Sequence, residues 1–136
     1  MLGNNIDQVG WPACGEIDIM ELVGHEPDVV HGTSHYGSPN HTFQGNPFIA
    51  KGLDFSETYH VFTLVWNPGS LYWYVDDVLF NEINPQLVGQ NPYPFNQEFF
   101  FIFNVAVGGL WPGAPDETTV FPQQMKVDYI RVFERE

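Results

Sequence analysis

The sequence has few basic residues. Four Lys and Arg stand against seventeen Asp and Glu in 136 residues, for a formal net charge of −13. Such a chain repels phosphate backbones and anionic headgroups, which argues against nucleic acid and acidic membranes as partners. The same repulsion disfavours sulfated or uronic polysaccharides, whereas a neutral polysaccharide is unaffected. The charge is equally consistent with a role in solubility in an extracellular or saline setting.

Cysteine and long apolar runs are also scarce. The single Cys, Cys14, excludes an intrachain disulfide and is expected to be a small buried residue. No segment approaches the ~20 apolar residues of a membrane helix, so membrane insertion is not expected. Residues 1–5 lack the charged and apolar regions of a signal peptide.

Helical periodicity is missing beyond a single turn, and what is present is typical of β-structure. Aromatic residues make up 16% of the chain, and eleven Pro and thirteen Gly separate the apolar runs. The strand-like runs are 16–22, 29–36, 60–66, 71–75, 78–82, 98–107 and 126–133. Tight turns are predicted at Pro68-Gly69 and Asp76-Asp77, and a short helical turn within 84–90. We therefore predict an all-β, antiparallel jelly-roll sandwich of about seven strands.

One strand-like run contains three carboxylates, Glu16, Asp18 and Glu21. Alternate residues of a strand share a face, so Glu16 and Asp18 point one way and the intervening Ile residues point into a core. Glu21 is out of phase by one position. A β-bulge near Ile19-Met20 would return Glu21 to the acidic face.

Clustered carboxylates on a sheet face repel one another and lose hydration, so a functional reason is expected. Glu16 and Glu21 would lie roughly 13 Å apart between Cα atoms at ~3.3 Å per residue. Two Glu side chains that lean together can close this to the ~5–5.5 Å that separates the carboxyl groups of retaining glycosidases. The alternative is the polar outer face of a solvated strand, which is unfavourable in a chain with four basic residues.

Four further segments accompany the acidic run in order. They are Trp11-Pro12-Ala13-Cys14-Gly15, His31-Gly32-Thr33-Ser34-His35-Tyr36-Gly37, the run from Asn104 to Gly113, and the ending from Met125 to Phe133. Together with Glu-Ile-Asp-Ile-Met-Glu they resemble glycoside hydrolase family 16, in the bulged form of laminarinases (endo-β-1,3-glucanases). The resemblance implies a concanavalin A-like sandwich in which residues 1–136 are the C-terminal part of a single catalytic domain, incomplete at the N-terminus. It also implies an extracellular or periplasmic parent enzyme.

The resemblance implies roles for individual residues. Glu16 would be the nucleophile and Glu21 the general acid and base, with Asp18 hydrogen-bonded to Glu16. The residues implied in substrate binding are Trp11, His35, Asn104 and Trp111. A structural calcium ion would have Asp128 among its ligands, and catalysis would need no cofactor.

Structural roles compete with several of these. His35 is otherwise a structural histidine, the two loop Trp residues otherwise pack within loops, and Asn104 otherwise satisfies backbone groups. His31 shares the strand face of His35 without a third metal ligand. The remaining histidines, His25, His41 and His60, are expected at the surface, and Trp66 and Trp73 in the sheet core.

The sequence therefore predicts retaining endo-hydrolysis of β-1,3-glucan, with β-glucan as the partner. Mixed-linkage β-1,3-1,4-glucan is an alternative substrate. A non-catalytic β-glucan-binding module and an inactive fragment of such an enzyme are the alternative functions. Linkage specificity, activity of this chain in isolation and oligomeric state do not follow from the sequence.

Overall fold

The computed structural model describes residues 1–134, which divide into two units, 1–102 and 103–134. The strands of the first unit are β1 (Leu2–Gly3), β2 (Glu16–Leu22), β3 (Val29–Tyr36), β4 (Thr42–Ile49), β5 (Phe62–Asn67), β6 (Ser70–Val75), β7 (Val78–Ile83) and β8 (Phe99–Phe100). Two helical turns, α1 (Ile6–Val9) and α2 (Pro85–Val88), accompany them. None of the helices described is long and apolar enough to cross a membrane.

The strands of the first unit form two antiparallel sheets. One has the order β4-β3-β2-β1-β8 and the other the order β5-β6-β7. Each sheet contributes one face to a shared core, in which Ile17 of β2 packs with Leu71 and Trp73 of β6. The predicted all-β antiparallel sandwich is therefore confirmed. The prediction for the tryptophans is half right: Trp73 is fully buried, whereas Trp66 is 40% exposed.

The predicted β-bulge is present in β2. The register between β2 and β3 shifts between Asp18 and Glu21. Ile19 and Met20 both pack against the core, where strict alternation would place only one of them inside. Glu21 thereby returns to the face of Asp18.

The core holds this bulge in place. The Trp73 indole Nε1 donates a hydrogen bond of 2.9 Å to the backbone oxygen of Asp18, where the bulge begins. Gly32 on β3 lies opposite the bulge, and a Cβ added there would meet Trp73 Cδ1 at 2.6 Å and Phe80 Cζ at 2.8 Å. The absence of a side chain at position 32 is what allows the indole to reach β2.

The β5-β6-β7 meander follows the predicted turn signals. Asp76 and Asp77 have φ values of 45° and 69°, as a two-residue hairpin turn requires. The predicted helical turn within 84–90 is α2, and the Asn84 side chain caps it by accepting hydrogen bonds from the Gln86 and Leu87 amides.

The sequence pattern did not predict strand β4, because Gly45, Asn46 and Pro47 are residue types typical of loops. β4 lies at the edge of its sheet and pairs with β3 along its full length. An edge strand tolerates Pro, since one row of its backbone groups needs no partner within the sheet.

The two C-terminal strand predictions were wrong in the described structure. Of the run 98–107, only Phe99–Phe100 is a strand, and it pairs with the two-residue β1. Residues 126–133 form no strand, and within 103–134 the backbone pairing is a bridge between Gly109 and Gly113. Apolar runs become strands only where another strand accepts their backbone hydrogen bonds.

We predict that Gly32→Ala destabilises the fold. The new methyl group would overlap the Trp73 indole and Phe80, so the free energy of unfolding should fall by ~1–3 kcal/mol. The control is Gly24→Ala, since nothing lies within 4 Å of a Cβ at Gly24. Urea unfolding of both variants measures the difference, and equal midpoints would contradict tight packing at the bulge.

We also predict that the 136-residue chain expressed alone self-associates. The second unit exposes most of its large apolar side chains, among them Phe103, Val105, Val107, Trp111, Val120, Phe121, Val127, Tyr129, Ile130, Val132 and Phe133. Apolar aromatic segments without strand partners favour intermolecular pairing, which the negative charge opposes only in part. Sedimentation velocity measures the association. A monomer with a cooperative thermal transition would contradict this prediction.

Candidate active site

The acidic residues of β2 share a face with polar residues of β3. In the register of the two strands, Glu16 lies opposite His35, Asp18 opposite Thr33 and Glu21 opposite His31. Directly opposite residues of an antiparallel pair point to the same side of the sheet. The bulge thus places three carboxylates beside two imidazoles and a hydroxyl.

The Glu21 carboxyl group is partly buried, and its surroundings shift its pKa. Burial raises its pKa above the ordinary value, and the negative charge of Asp18 raises it further. The Thr33 hydroxyl donates a 3.0 Å hydrogen bond to Glu21 Oε2, which favours the ionised form and partly offsets this rise. Glu21 is therefore a carboxyl group whose protonated form extends toward neutral pH, as a general acid requires.

Asp18 pairs with His35, and the predicted hydrogen bond from Asp18 to Glu16 was wrong. His35 Nε2 lies 3.2 Å from Asp18 Oδ2, and both side chains are largely buried. Burial opposes the charged form of His35, but contact with Asp18 and the fields of Glu16 and Glu21 outweigh it and raise the pKa of the imidazole. In its protonated form, His35 offsets part of the repulsion among the acids.

Trp11 is the partner of Glu16. Its indole Nε1 donates a hydrogen bond of 2.5 Å to Glu16 Oε2, while about half of the residue stays exposed. A fixed indole beside a carboxylate offers an apolar surface on which a sugar ring can stack. The predicted neighbourhood of Trp11, His35 and the acidic run is therefore found in the structure.

His41 is exposed, as predicted, and it also belongs to this neighbourhood. Its Nε2 lies 2.9 Å from His35 Nδ1, and its ring centroid lies 4.6 Å from that of Trp11. Phe43 on β4 closes the group, 6.0 Å from His41 and 5.8 Å from His35 between ring centroids. No spacing signal reveals His41, because it reaches the site from the turn between β3 and β4.

The other histidines lie elsewhere. The His25 side chain is 58% exposed, as predicted. The His60 side chain is only 9% exposed, because it contacts Phe55 and bonds to Asp76 Oδ2 at 2.6 Å, so its assignment to the surface was wrong. His31 lies on the acidic face, 3.9 Å from Glu26.

Three predicted site residues lie in the second unit. Asn104, Trp111 and Asp128 are all exposed there, and Trp111 sits within a tight turn closed by two hydrogen bonds between Gly109 and Gly113. Their roles in substrate and calcium binding stay predictions.

Calcium coordination takes six to eight oxygen ligands. Within residues 1–134, no three His, Cys, Asp or Glu side chains lie together as a metal site would need. A calcium site at Asp128 would therefore need oxygen ligands beyond these side chains, and it stays a prediction.

The site combines Glu16, which is hydrogen-bonded to Trp11, with Glu21, whose pKa is raised by burial and by Asp18. Two such groups on one face are the requirement of glycoside hydrolysis with retention or inversion. The fold and the site define a glycoside hydrolase type of protein.

Comparison with known proteins assigns the family. Residues 4–131 match the model of glycosyl hydrolases family 16, and the chain belongs to this family. It is 41% identical over 130 residues to a beta-glucanase of Rhodothermus marinus, covering 90% of this chain and 46% of that protein.

Solved structures of endo-β-1,3-glucanases have the same fold. The enzyme of Pyrococcus furiosus superposes with a TM-score of 0.80 at 45% identity, over 89% of this chain and 48% of the enzyme. The catalytic domain of the Thermotoga petrophila laminarinase gives 0.82 at 45% identity, over 88% of this chain and 50% of the domain. The chain thus spans about half the length of the relatives it matches.

We predict that Thr33→Val shifts the basic limb of the pH–activity profile to higher pH. Without the hydroxyl, the carboxylate form of Glu21 loses a hydrogen bond, so its pKa rises further and the acid stays protonated to higher pH. The control is Thr33→Ser, which retains the hydroxyl. The profile of kcat/KM measures the shift, and coincident profiles for Val and Ser would contradict the role of this bond.

Proposed function

We propose that the protein hydrolyses β-1,3-glucan at internal positions with retention of configuration at the anomeric carbon. The observation that carries the proposal is the common face of Glu16 and Glu21 across the bulge of β2. Membership of family 16 and the likeness to endo-β-1,3-glucanases support this substrate class. Since the chain spans about half of its relatives, activity of the 136 residues is itself part of the proposal.

In the first step, Glu16 attacks the anomeric carbon of the bound sugar. The bond between this carbon and the departing oxygen breaks as Glu21 gives its proton to that oxygen. A covalent glycosyl ester on Glu16 and an ionised Glu21 result. The hydrogen bond from Trp11 supports the geometry of the attack because it fixes one oxygen of Glu16.

In the second step, ionised Glu21 takes a proton from water. The water oxygen attacks the anomeric carbon and displaces Glu16, which leaves as a free carboxylate. Two inversions restore the original configuration. Both steps need a Glu21 that keeps its proton to higher pH than an ordinary carboxyl group, and burial together with Asp18 shifts its pKa in that direction.

In the proposal, aromatic and polar side chains supply the contacts with the substrate. Trp11 stacks against a sugar ring beside the nucleophile, and His35 meets sugar hydroxyls. Asn104 and Trp111 are proposed to contact the glucan in the complete protein. The parent protein is proposed to act outside the cytoplasm, in the extracellular space or the periplasm, where polysaccharides are met.

A β-glucan-binding module without hydrolysis is the alternative. Binding alone needs aromatic surfaces but not three acids on one face, and it gives no reason for a buried, proton-retaining Glu21. All three acids are present, which favours hydrolysis over binding alone. Mixed-linkage glucan is the alternative substrate, and assays on both polymers separate the two.

We predict that the first product released from laminarin by the gene product containing these residues is the β-anomer. Retention follows from two displacements at the same carbon. Proton NMR of freshly formed product measures the anomer before mutarotation. An α-anomer that appears first would rule out the double displacement.

The same assay identifies the roles of the acids. Glu16→Gln should nearly abolish turnover because no nucleophile remains. Asp18→Asn should leave a weak residual activity, since Asp18 acts through the charge and position of its neighbours. Asp7→Asn serves as a matched control, because Asp7 is an exposed carboxylate on α1 and not on β2. Equal losses in all three variants would point to unfolding instead of chemistry.

A further inference from the structure

Both ring nitrogens of His35 have partners. Nε2 lies 3.2 Å from Asp18 Oδ2, and Nδ1 lies 2.9 Å from His41 Nε2. The imidazole of His35 therefore bridges a carboxylate of the acidic face to a second imidazole. His41 is the outer end of this chain of side chains.

The chemistry of imidazole determines where the protons lie. A carboxylate favours a donor beside it, so the hydrogen of a neutral His35 ring is favoured on Nε2, which lies within ion-pair distance of Asp18 Oδ2, although that oxygen accepts no hydrogen bond of good geometry from the described residues. In neutral His35 the other nitrogen, Nδ1, is then an acceptor, and His41 Nε2–H donates to it. In the imidazolium form, His35 Nδ1–H donates and His41 Nε2 accepts. His41 satisfies Nδ1 in both states, so His35 keeps its orientation when its charge changes.

The ring of His41 is itself held by packing. It stacks on His35 with 5.1 Å between ring centroids and an interplanar angle of 24°. The ring centroids of Trp11 and Phe43 lie 4.6 Å and 6.0 Å from that of His41. A ring packed against aromatic neighbours loses little further freedom when it forms a hydrogen bond.

We propose that His41 is a positioning residue for glycoside hydrolysis: it holds the His35 ring so that Nε2 stays within ion-pair distance of Asp18, the carboxylate between Glu16 and Glu21 on β2. The inference deepens the proposed function and rests on it. It assigns a role to His41, a residue of the β3–β4 turn. His41 contacts both Trp11, the hydrogen-bond partner of Glu16, and His35, the imidazole beside Asp18.

Two substitutions separate the hydrogen bond from the packing. His41→Phe keeps an aromatic ring beside Trp11 and Phe43 but removes the nitrogen that faces His35. His41→Gln retains an N–H donor close to the position of Nε2 and loses the ring. His25→Gln is the matched control, since His25 is an exposed histidine on the β2–β3 loop.

The first readout is the steady-state kinetics of laminarin hydrolysis by the gene product that contains these residues. His41→Phe should lower kcat about tenfold, on the scale of one lost hydrogen bond, with KM nearly unchanged. His41→Gln should recover most of kcat, and His25→Gln should match the wild type. A Phe variant with wild-type kcat, or a Gln variant no better than Phe, would overturn the proposal.

The second readout is NMR of the histidine side chains and needs no turnover. In the wild type, the His35 Nε2–H proton should exchange slowly with water and give a resolved signal. The signal should persist in His41→Gln and be broadened by exchange in His41→Phe. An equally sharp signal in the Phe variant would overturn the role of His41.

The two readouts also separate the inference from the proposed function. A wild-type protein that binds but does not hydrolyse laminarin would refute the hydrolase, while the NMR comparison would still decide whether His41 holds His35. Turnover that depends on Glu16 but not on His41 would support the proposed hydrolase function and refute the positioning role of His41.

Discussion

The bulge in β2 is the feature on which the acidic site depends. Without the extra residue, Glu21 would face the core and Met20 would face the substrate side. The hydrogen bond from Trp73 to the backbone oxygen of Asp18 holds the bulge from the core side. Gly32 leaves room for that indole, so a residue without a side chain on β3 determines where a carboxylate points on β2.

The bulge also makes the two glutamates unlike each other. Glu16 meets an exposed indole at the start of the strand, whereas Glu21 lies beyond the bulge in a more buried position beside Asp18. Burial and the charge of Asp18 thereby raise the pKa of Glu21. A nucleophile must be ionised and a general acid protonated at the same pH, so a raised pKa at the general acid is what two-carboxylate chemistry requires.

Local sequence patterns were sufficient to predict β2, β3, the bulge and the hairpin turns, because strand alternation and turn preferences depend on only a few neighbouring residues. β4 escaped prediction since Gly45 and Pro47 are tolerated at a sheet edge for reasons that only the topology reveals. Thr33 and His41 also escaped, because their roles come from contacts across strands that no spacing encodes. The runs 98–107 and 126–133 have strand composition, but composition does not supply a partner strand.

The acidic site acts against the stability of the fold that carries it. The pKa of Glu21 is raised in the folded state, so ionised Glu21 is less favourable there than in the unfolded chain. Its destabilising effect is absent at low pH, where both states are protonated, and develops as the pH rises from the unfolded pKa through the folded one. Near neutral pH the core must therefore offset a repulsion that the chemistry needs. Ile19 and Met20, the two residues that create the bulge, both add apolar contacts to that core. The bulge that turns Glu21 toward the acidic face therefore also contributes burial energy, which offsets part of the cost of ionising Glu21.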